Sequence, residues 1–486
     1  MYWVDFLKFE KMESYFTYTS EEESLIDHDI HFRPGIGVDR TETFTPRTVI
    51  YDLKGGFGSL RKINALYGIE EPDISDVLWN KPAIIQRLDS IEKCAYQHSL
   101  EQNLEPESLD SDTVKYWSDY NRVFYHPKSI VQLNEYEVGS TFRPFDSWDE
   151  GEELFKTSDK ESDLVERDLR LFVEEADHMQ AFQLISSTDD AWGSFAARYL
   201  EQIKDEYSKT DIIFWGLEED ITTKPREKRY TSLSNVAKSV SQIAPESTLF
   251  IPLTLPSKAL PSYVTLERKS NWHVSALLSV AMESMTLLSR LRQKILYQEN
   301  LDQLNCFINT NGRQNIAKLR MSIDKDSSHS DDVTIVPKIL ELNRDTRSPS
   351  TKKSPHFSEI ATKSNIEWYQ SKSFLYIAYI LVWEPSIRKT RKDTILNQFF
   401  RKIVPLPFPL LDSFPQIFDQ SGTPSSVTVR TSLTVDSTIA SRLKAIKHIA
   451  SRALAIDERE ALSNSLGELA EAYEEGWDSG SDEGED

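Results

Sequence analysis

Apolar and polar positions along this 486-residue chain follow two spacings, one of strands and one of helices. Thr48-Val49-Ile50-Tyr51 is apolar and β-branched, which predicts a buried strand. It runs into Asp52-Leu53-Lys54-Gly55-Gly56-Phe57-Gly58, and a helix is expected after it, from Ser59 to Ile63. From 70 to 112, Pro72, Pro82 and Pro106 among polar residues predict an irregular excursion. Within Leu164–Glu175, Leu164, Val165, Leu169, Phe172 and Val173 share one broad helical face. Met179–Ile185 reads as a strand, Ser186–Gly193 as a loop, Ser194–Tyr207 as a helix and Asp211–Leu217 as a strand. That order is a βαβ unit and implies a parallel sheet. Ser247–Leu255 predicts a further strand, and Val274–Arg292 a long amphipathic helix. Phe374–Trp383 returns to core, Pro405, Pro407, Pro409 and Pro415 mark a rigid irregular segment, and Ser437–Ile456 predicts a last helix. Residues 1–24 are aromatic and charged without a clear period, and no internal repeat is visible.

Hydrophobic residues make up 39% of the chain and charged residues 28%, enough apolar material for a large core. Two cysteines, Cys94 and Cys306, exclude a disulfide framework and a cysteine-rich zinc module, and point to a reducing compartment. The first residues, Met1 to Lys8, lack the apolar stretch of a secretory signal and the arginine-rich pattern of a matrix presequence. The ten apolar-rich residues Phe374–Trp383 are about half of a membrane span. Net charge is −22, and Asp457–Asp486 carries half of it, with twelve acids and one base. An acidic body with an acidic tail repels polyphosphate, so no direct nucleic-acid binding is expected. The basic stretches Lys224–Arg229 and Arg388–Lys392 are too short to reverse that.

Generic catalytic signatures are absent: no GxxxxGK[ST], no GxSxG, no HExxH. His28 and His31 have a spacing that would seat a metal on a helix, or are plain solvated loop histidines. The Asp52–Gly58 turn admits two readings. Glycines after a buried strand let backbone N–H groups approach an anion, and a tight strand–helix connection needs the same glycines. The Ser186–Ser194 loop occupies the other phosphate-loop position, before the helix of the βαβ unit. Its Asp189-Asp190 pair suits it poorly, since a phosphate charge about 4 Å from one carboxylate loses roughly 4 kcal/mol at an intermediate effective dielectric. The simpler expectation is that an Asp or Ser here caps the following helix, with no second acid cluster nearby. In Ile439–Ile456, the apolar Ile439, Leu443, Ile446, Ile449 and Ala453 would pack on the domain or lie on an anionic membrane. The acidic end, with Tyr473 and Trp477, reads as a solvating tail or a docking segment.

Several stretches carry a resemblance. Phe44-Thr45-Pro46-Arg47-Thr48-Val49-Ile50-Tyr51-Asp52-Leu53-Lys54-Gly55-Gly56 resembles the tubulin run (V/T)PR-apolar-DLEPG. Met179–Leu184 and the ending Asp205-Glu206-Tyr207 resemble the tubulin GFQL and REEYPD stretches, and Asn271–Ala276 resembles a segment of the tubulin second half. Tyr51–Arg61, Tyr116–Asn121 with His126–Ser129, and Gln180–Ile185 through Gly193 are closer to the Misato family, tubulin-related proteins known in fungi for mitochondrial partitioning and mitochondrial DNA inheritance. Residue by residue, Asp52 matches the first acid of the tubulin turn, and Lys54 replaces the second. Of the glycine-rich GTP signature only Gly193 is recognisable, and no acid falls within Ser270–His273, where tubulins orient water. Family members usually begin with a strand and a Gly-Gln loop that makes the first phosphate contact; Met1–Met12 contains no glycine, so either the first exon is misassigned or the N-terminal strand is missing.

The resemblance implies a tubulin-like α/β fold with a parallel-sheet half, then an α+β half. Its expected divisions are 14–115, 116–300, 301–456 with a disordered insertion at 323–356, and an acidic tail from 457 to 486. It implies a degenerate nucleotide site at Asp52, Gly55, Gly56 and Gly193, with no catalytic residues, no metal and no cofactor. A GTP-binding, self-assembling switch is the alternative. It further implies a non-enzymatic role in mitochondrial partitioning and mitochondrial DNA inheritance, through protein partners on the cytosolic face of the mitochondrion. A peripheral membrane contact through Ile439–Ile456 is a second route of attachment.

Overall fold

The structure, a computed structural model, describes residues 25–37, 40, 42–60, 91–220, 224–255, 260–292, 300–309, 312–324, 340–341, 356–364, 398–404, 407–418, 426–453 and 456–474. Ile63, Phe374–Trp383, Arg388–Lys392, Trp477 and most of 323–356 lie outside the described residues.

A short hairpin opens the described chain: β1 (Phe32–Ile36) pairs antiparallel with β2 (Glu42–Pro46). The expected buried strand forms as β3 (Ile50–Lys54), parallel to β4 (Ile130–Glu137). Part of the expected irregular stretch between them is helical, α1 (Ala95–Glu101). The Gln97 side-chain amide explains its seat: it donates to the carbonyls of Ser118, Asp119 and Asn121 at 2.7–3.1 Å. Trp117, fully buried, packs edge-on against Phe57 and Tyr125 beneath this turn. Next comes α2 (Trp148–Glu161), whose Glu150 carboxylate accepts from the backbone N–H groups of Asp146 and Ser147 at 3.0 Å each. The helix expected at Leu164–Glu175 is present, beginning as a π-helical turn at Val165–Leu169 and continuing as α3 (Arg170–Glu174).

The βαβ unit is as the sequence predicts. Strand β5 (Ala181–Ser187), α4 (Trp192–Glu206), β6 (Asp211–Leu217), α5 (Arg226–Glu246) and β7 (Leu249–Leu253) build a parallel sheet in the order β5-β6-β7. Leu184 lies opposite Phe214, and Ile213 opposite Leu249. The near-continuous apolar run of β6 reflects burial on both sheet faces.

The helix expected at Val274–Arg292 is α6 (Asn271–Thr286), extended by a 3-10 turn at Leu287–Arg290. It is not amphipathic. Every residue from Val274 to Thr286 is buried, because α6 packs on a second sheet, against strands that follow it in the chain, and meets protein on all sides. Its one charge, Glu283, is paired with Arg290 at 2.6 Å, which such burial requires. After α7 (Leu301–Ile308) come β8 (Lys318–Asp324), β9 (Leu340–Glu341), β10 (His356–Ser364), β11 (Gln398–Val404), β12 (Phe408–Pro409) and β13 (Ser426–Asp436). They pair in the order β11-β10-β13-β8-β9, with β12 on β13. The 323–356 segment is therefore not wholly apart from the fold: β9 within it pairs with β8.

Two helices finish the described chain, α8 (Thr438–Ala453) and α9 (Ile456–Glu471). Both pack against α5. Ile439, Leu443 and Ile446 are buried and Ile449 is half-buried, so these apolar residues of α8 pack on the domain. The acidic end also departs from the sequence expectation. Residues 457–471 are helical, and Leu462, Leu466, Ala470 and Tyr473 are core residues. The acids on the outer face hid a buried seam at helical spacing. The Tyr473 hydroxyl accepts the backbone N–H of Ile316 at 2.6 Å, which ties the chain's end to the second half. Among the described residues, no helix is long and apolar enough to cross a membrane.

Replacing Tyr473 by Phe strands the buried Ile316 N–H, and is expected to cost about 1–3 kcal/mol in chemical denaturation. An unchanged transition would mean that the acidic end is a solvated tail after all.

Candidate functional site

In a parallel sheet with helical crossovers, ligands sit outside the carboxyl ends of the strands. Here that region holds the loops after β5 and β6. Ser187 donates its hydroxyl to Asp189 Oδ1 at 3.0 Å. Asp189 Oδ2 accepts from Lys224 Nζ at 2.7 Å and from the Glu219 N–H at 3.2 Å. Lys224 also donates to Ser232 Oγ at 2.9 Å and lies 3.1 Å from Glu219 Oε2. Asn235 of α5 completes the clamp by donating to the Asp146 and Asp189 carbonyls. The Asp189 side chain is 3% exposed and that of Lys224 16%, so each needs the other.

A second acid cluster does exist here, against the sequence expectation: Glu218, Glu219 and Asp220 leave the end of β6 together. Each meets a cation from a different segment. Arg442 of α8 pairs with the buried Glu218, Lys224 with Glu219, and Arg268, ahead of α6, with Asp220 at 3.7 Å. The acids were readable as a run after an apolar strand. Their cations lie up to 224 residues away in sequence, and no local pattern announces them.

Asp190 accepts the N–H of Trp192, the first residue of α4, at 2.9 Å, whereas the N-cap position itself is Ala191 and carries no side-chain cap. Burial, and then the neighbouring Asp189 charge, push its carboxyl up to about 7.

Each of the four sequence candidates makes structural contacts of its own. Asp52 is buried and its carboxyl is pushed up by burial. A Cβ placed on Gly56 would lie 2.3 Å from the Asp52 carboxylate carbon, so Gly56 is glycine because that carboxylate rests on it. Gly55, at φ +84°, supplies the left-handed step of the turn. The N–H groups of Gly56, Gly58 and Leu60 donate to Leu53, Gly55 and Phe57, and that of Ser59 to Ser118 Oγ. Those four donors are spent within the protein, and the Asp52 carboxylate rests against the turn. The turn is a tight connection. Gly193 has a packing role as well: a Cβ there would lie 2.4 Å from Ser239 Oγ, which itself donates to the Thr188 carbonyl. It lets α4 approach α5. Among the described residues, no hydrogen bond or ion pair joins the Asp52–Gly58 turn to Asp189–Gly193. At Ser270, the side chain accepts the His273 N–H and caps α6. His28 and His31 flank a 3-10 turn, and among the described residues no cluster of three His, Cys, Asp or Glu could hold a metal.

Comparison with known proteins agrees with this architecture. Residues 106–291 match the profile of a tubulin domain, and residues 9–102 that of the Misato segment II tubulin-like domain. Protein dml-1 of Neurospora crassa is 41% identical over 98% of this chain and 95% of its own length. The chain belongs to the Misato-type, tubulin-like DML1 family. Protein DML1 of Gibberella zeae is likewise 41% identical over the same shares, and Protein DML1 of Yarrowia lipolytica is 28% identical over 98% of the chain and 96% of its own. The α/β fold of this DML1-family chain is thus tubulin-like, with the second sheet and α6 in its latter half.

The raised Asp190 carboxyl makes a signed pH prediction. Between about 4 and 7 the folded protein holds a proton there that the unfolded chain, near 3.8, has released. Stability from this group therefore falls as pH rises through that window. Asp190→Asn keeps an acceptor for the Trp192 N–H and removes the charge. It is expected to raise the melting temperature at pH 8, with the gain shrinking as pH drops toward 4. A gain that is constant with pH would contradict the assignment.

Proposed function

We propose that this chain is a non-enzymatic tubulin-like protein that acts in the partitioning of mitochondria and the inheritance of mitochondrial DNA. The observation that carries the non-enzymatic part is the Asp189–Lys224 pair. A lysine that in another site would meet a phosphate is here committed to the protein's own buried carboxylate. The Asp52 carboxylate on Gly56 supports the same reading at the other loop. No cofactor is assigned, GTP included. The mitochondrial part rests on the family, whose fungal members the Misato resemblance associates with that organelle.

Contact with the organelle is assigned to protein partners on its cytosolic face. The buried apolar face of α8 favours a protein route over a lipid one. Direct DNA contact is disfavoured by the −22 net charge. It is also disfavoured by the fate of the Lys224–Arg229 basic stretch: Lys224 is consumed by Asp189 and Glu219, and Lys228 pairs with Asp146 at 2.8 Å.

Two experiments test the proposal. Purified protein is expected to show no magnesium-dependent GTP turnover above buffer, and turnover abolished by Asp52→Ala would overturn the non-enzymatic reading. In a timed depletion, mitochondrial shape and distribution are expected to change before mitochondrial DNA declines. DNA loss ahead of any morphological change would overturn the partitioning role.

A further inference from the structure

Among the described residues, the most exposed large apolar side chain is Phe142, at 98%, with Ile36 next at 72%. Phe142 stands in the connection from β4 to α2, residues 138–147. An apolar residue drifting on a loose loop would need no explanation. This loop is held along its length. The Val138 N–H donates to the Lys54 carbonyl at the end of β3, at 3.1 Å. Gly139, at φ +74°, turns the chain so that the Ser140 N–H reaches the Glu137 carbonyl at 3.2 Å. Arg143, next to Phe142, lies over the Tyr136 ring, its guanidinium carbon 4.2 Å from the centroid, and donates to the Tyr136 hydroxyl at 3.1 Å. Its own N–H donates to Ser140 Oγ at 3.2 Å. Phe145 packs on Tyr136 and Trp192, with ring centroids 4.8 and 5.3 Å apart. Asp146 is gripped from α5, by Lys228 at 2.8 Å and by the Asn235 amide on its carbonyl at 2.7 Å. The loop thus spends Phe145 on packing and holds Phe142 out. Such a rigid presentation lowers the ordering cost of binding.

The surroundings state the chemistry of what would cover it. Val138, at the start of the loop, and Tyr230, near the start of α5, are each about half exposed. Arg226–Tyr230, the start of α5, carries three bases, Arg226, Lys228 and Arg229, against one acid, Glu227. The helix N-terminus adds the positive end of its dipole there. On the β4 side stand the exposed acids Glu135 and Glu137. A protruding aromatic side chain asks for a hole, and the bases of α5 ask for acids on the rim beside them. A lipid surface fits poorly: Lys228 is paired with Asp146, Arg229 donates to the Lys224 carbonyl at 2.6 Å, and the chain as a whole carries −22. A second copy of the chain fits poorly as well, because two molecules of that charge repel.

We propose that the β4–α2 loop is a docking knob, with Phe142 as its anchor, for a partner protein that offers an apolar pocket bearing carboxylates on the rim that faces α5. The proposal rests on the reading that this chain works through protein partners, and not on the organelle where it does so.

Site-specific photo-crosslinking in living cells tests it. The full-length chain carries a photoreactive benzophenone amino acid at the exposed position Thr141. The expected result is a discrete adduct with one other protein, whose crosslinked peptide holds apolar residues flanked by Asp or Glu. Phe142→Ser is expected to lower the adduct yield about tenfold or more, and Arg226→Glu about threefold or more. Ile36→Ser, at the other highly exposed apolar site, is expected to leave the yield unchanged. Thermal unfolding of Phe142→Ser should match that of the unaltered chain, since the side chain is 98% exposed, so a lost adduct is not lost folding. No protein adduct, an adduct with lipid alone or with a second copy of this chain, or a yield that survives Phe142→Ser would overturn the proposal. A partner with the expected pocket found away from mitochondria would support the knob and count against the mitochondrial reading.

Discussion

Buried carboxylates need partners, and that constraint organises the carboxyl end of the parallel sheet. Asp189 and Glu218 are almost wholly inaccessible, and Glu219 and Asp220 stand beside them. Three cations pair with these four acids, each from a different segment: Lys224 ahead of α5, Arg268 ahead of α6, and Arg442 on α8. Breaking one buried pair costs about 3–5 kcal/mol, because the remaining charge is stranded. The ion-pair set therefore fixes where α5 begins, how α6 enters the core and how α8 is tied to the end of β6. It also fills with protein charge the region where a doubly wound sheet takes a ligand.

Much of the fold was legible in the sequence, for a physical reason. Strands β5 and β6 are short apolar runs bounded by polar loops, and α4 between them has a clear helical face, so period and punctuation agree. The π-helical turn at Val165–Leu169 sits on a stretch whose apolar spacing still read as helix. Legibility failed where tertiary context replaces local pattern. Helix α6 is buried all round, so a one-sided stripe was the wrong template for it. The acidic end misled through its composition: Leu462, Leu466, Ala470 and Tyr473 form a seam at helical spacing, outweighed in a charge count by the exposed acids around it.

The candidate site was legible in its parts but not in their roles. Asp52, Gly55, Gly56 and Gly193, which the sequence singled out as a degenerate nucleotide site, are each structurally demanding residues. Their roles depend on neighbours that spacing does not reveal. Gly56 is fixed by a carboxylate four residues earlier, and Gly193 by Ser239 on another helix. Lys224 had been counted only as part of a basic stretch, because its partner Asp189 lies 35 residues upstream. A tubulin-like scaffold can thus keep its sheet and its glycines while committing its charges to itself.

That central claim, a carboxyl end already satisfied by its own ion pairs, is tested most directly by equilibrium binding. Fluorescent GTP titrated with magnesium against the purified full-length chain is expected to give no saturable signal, and Lys224→Ala is expected to create none. Saturable binding by the unaltered chain, lost on Asp52→Ala, would contradict the account.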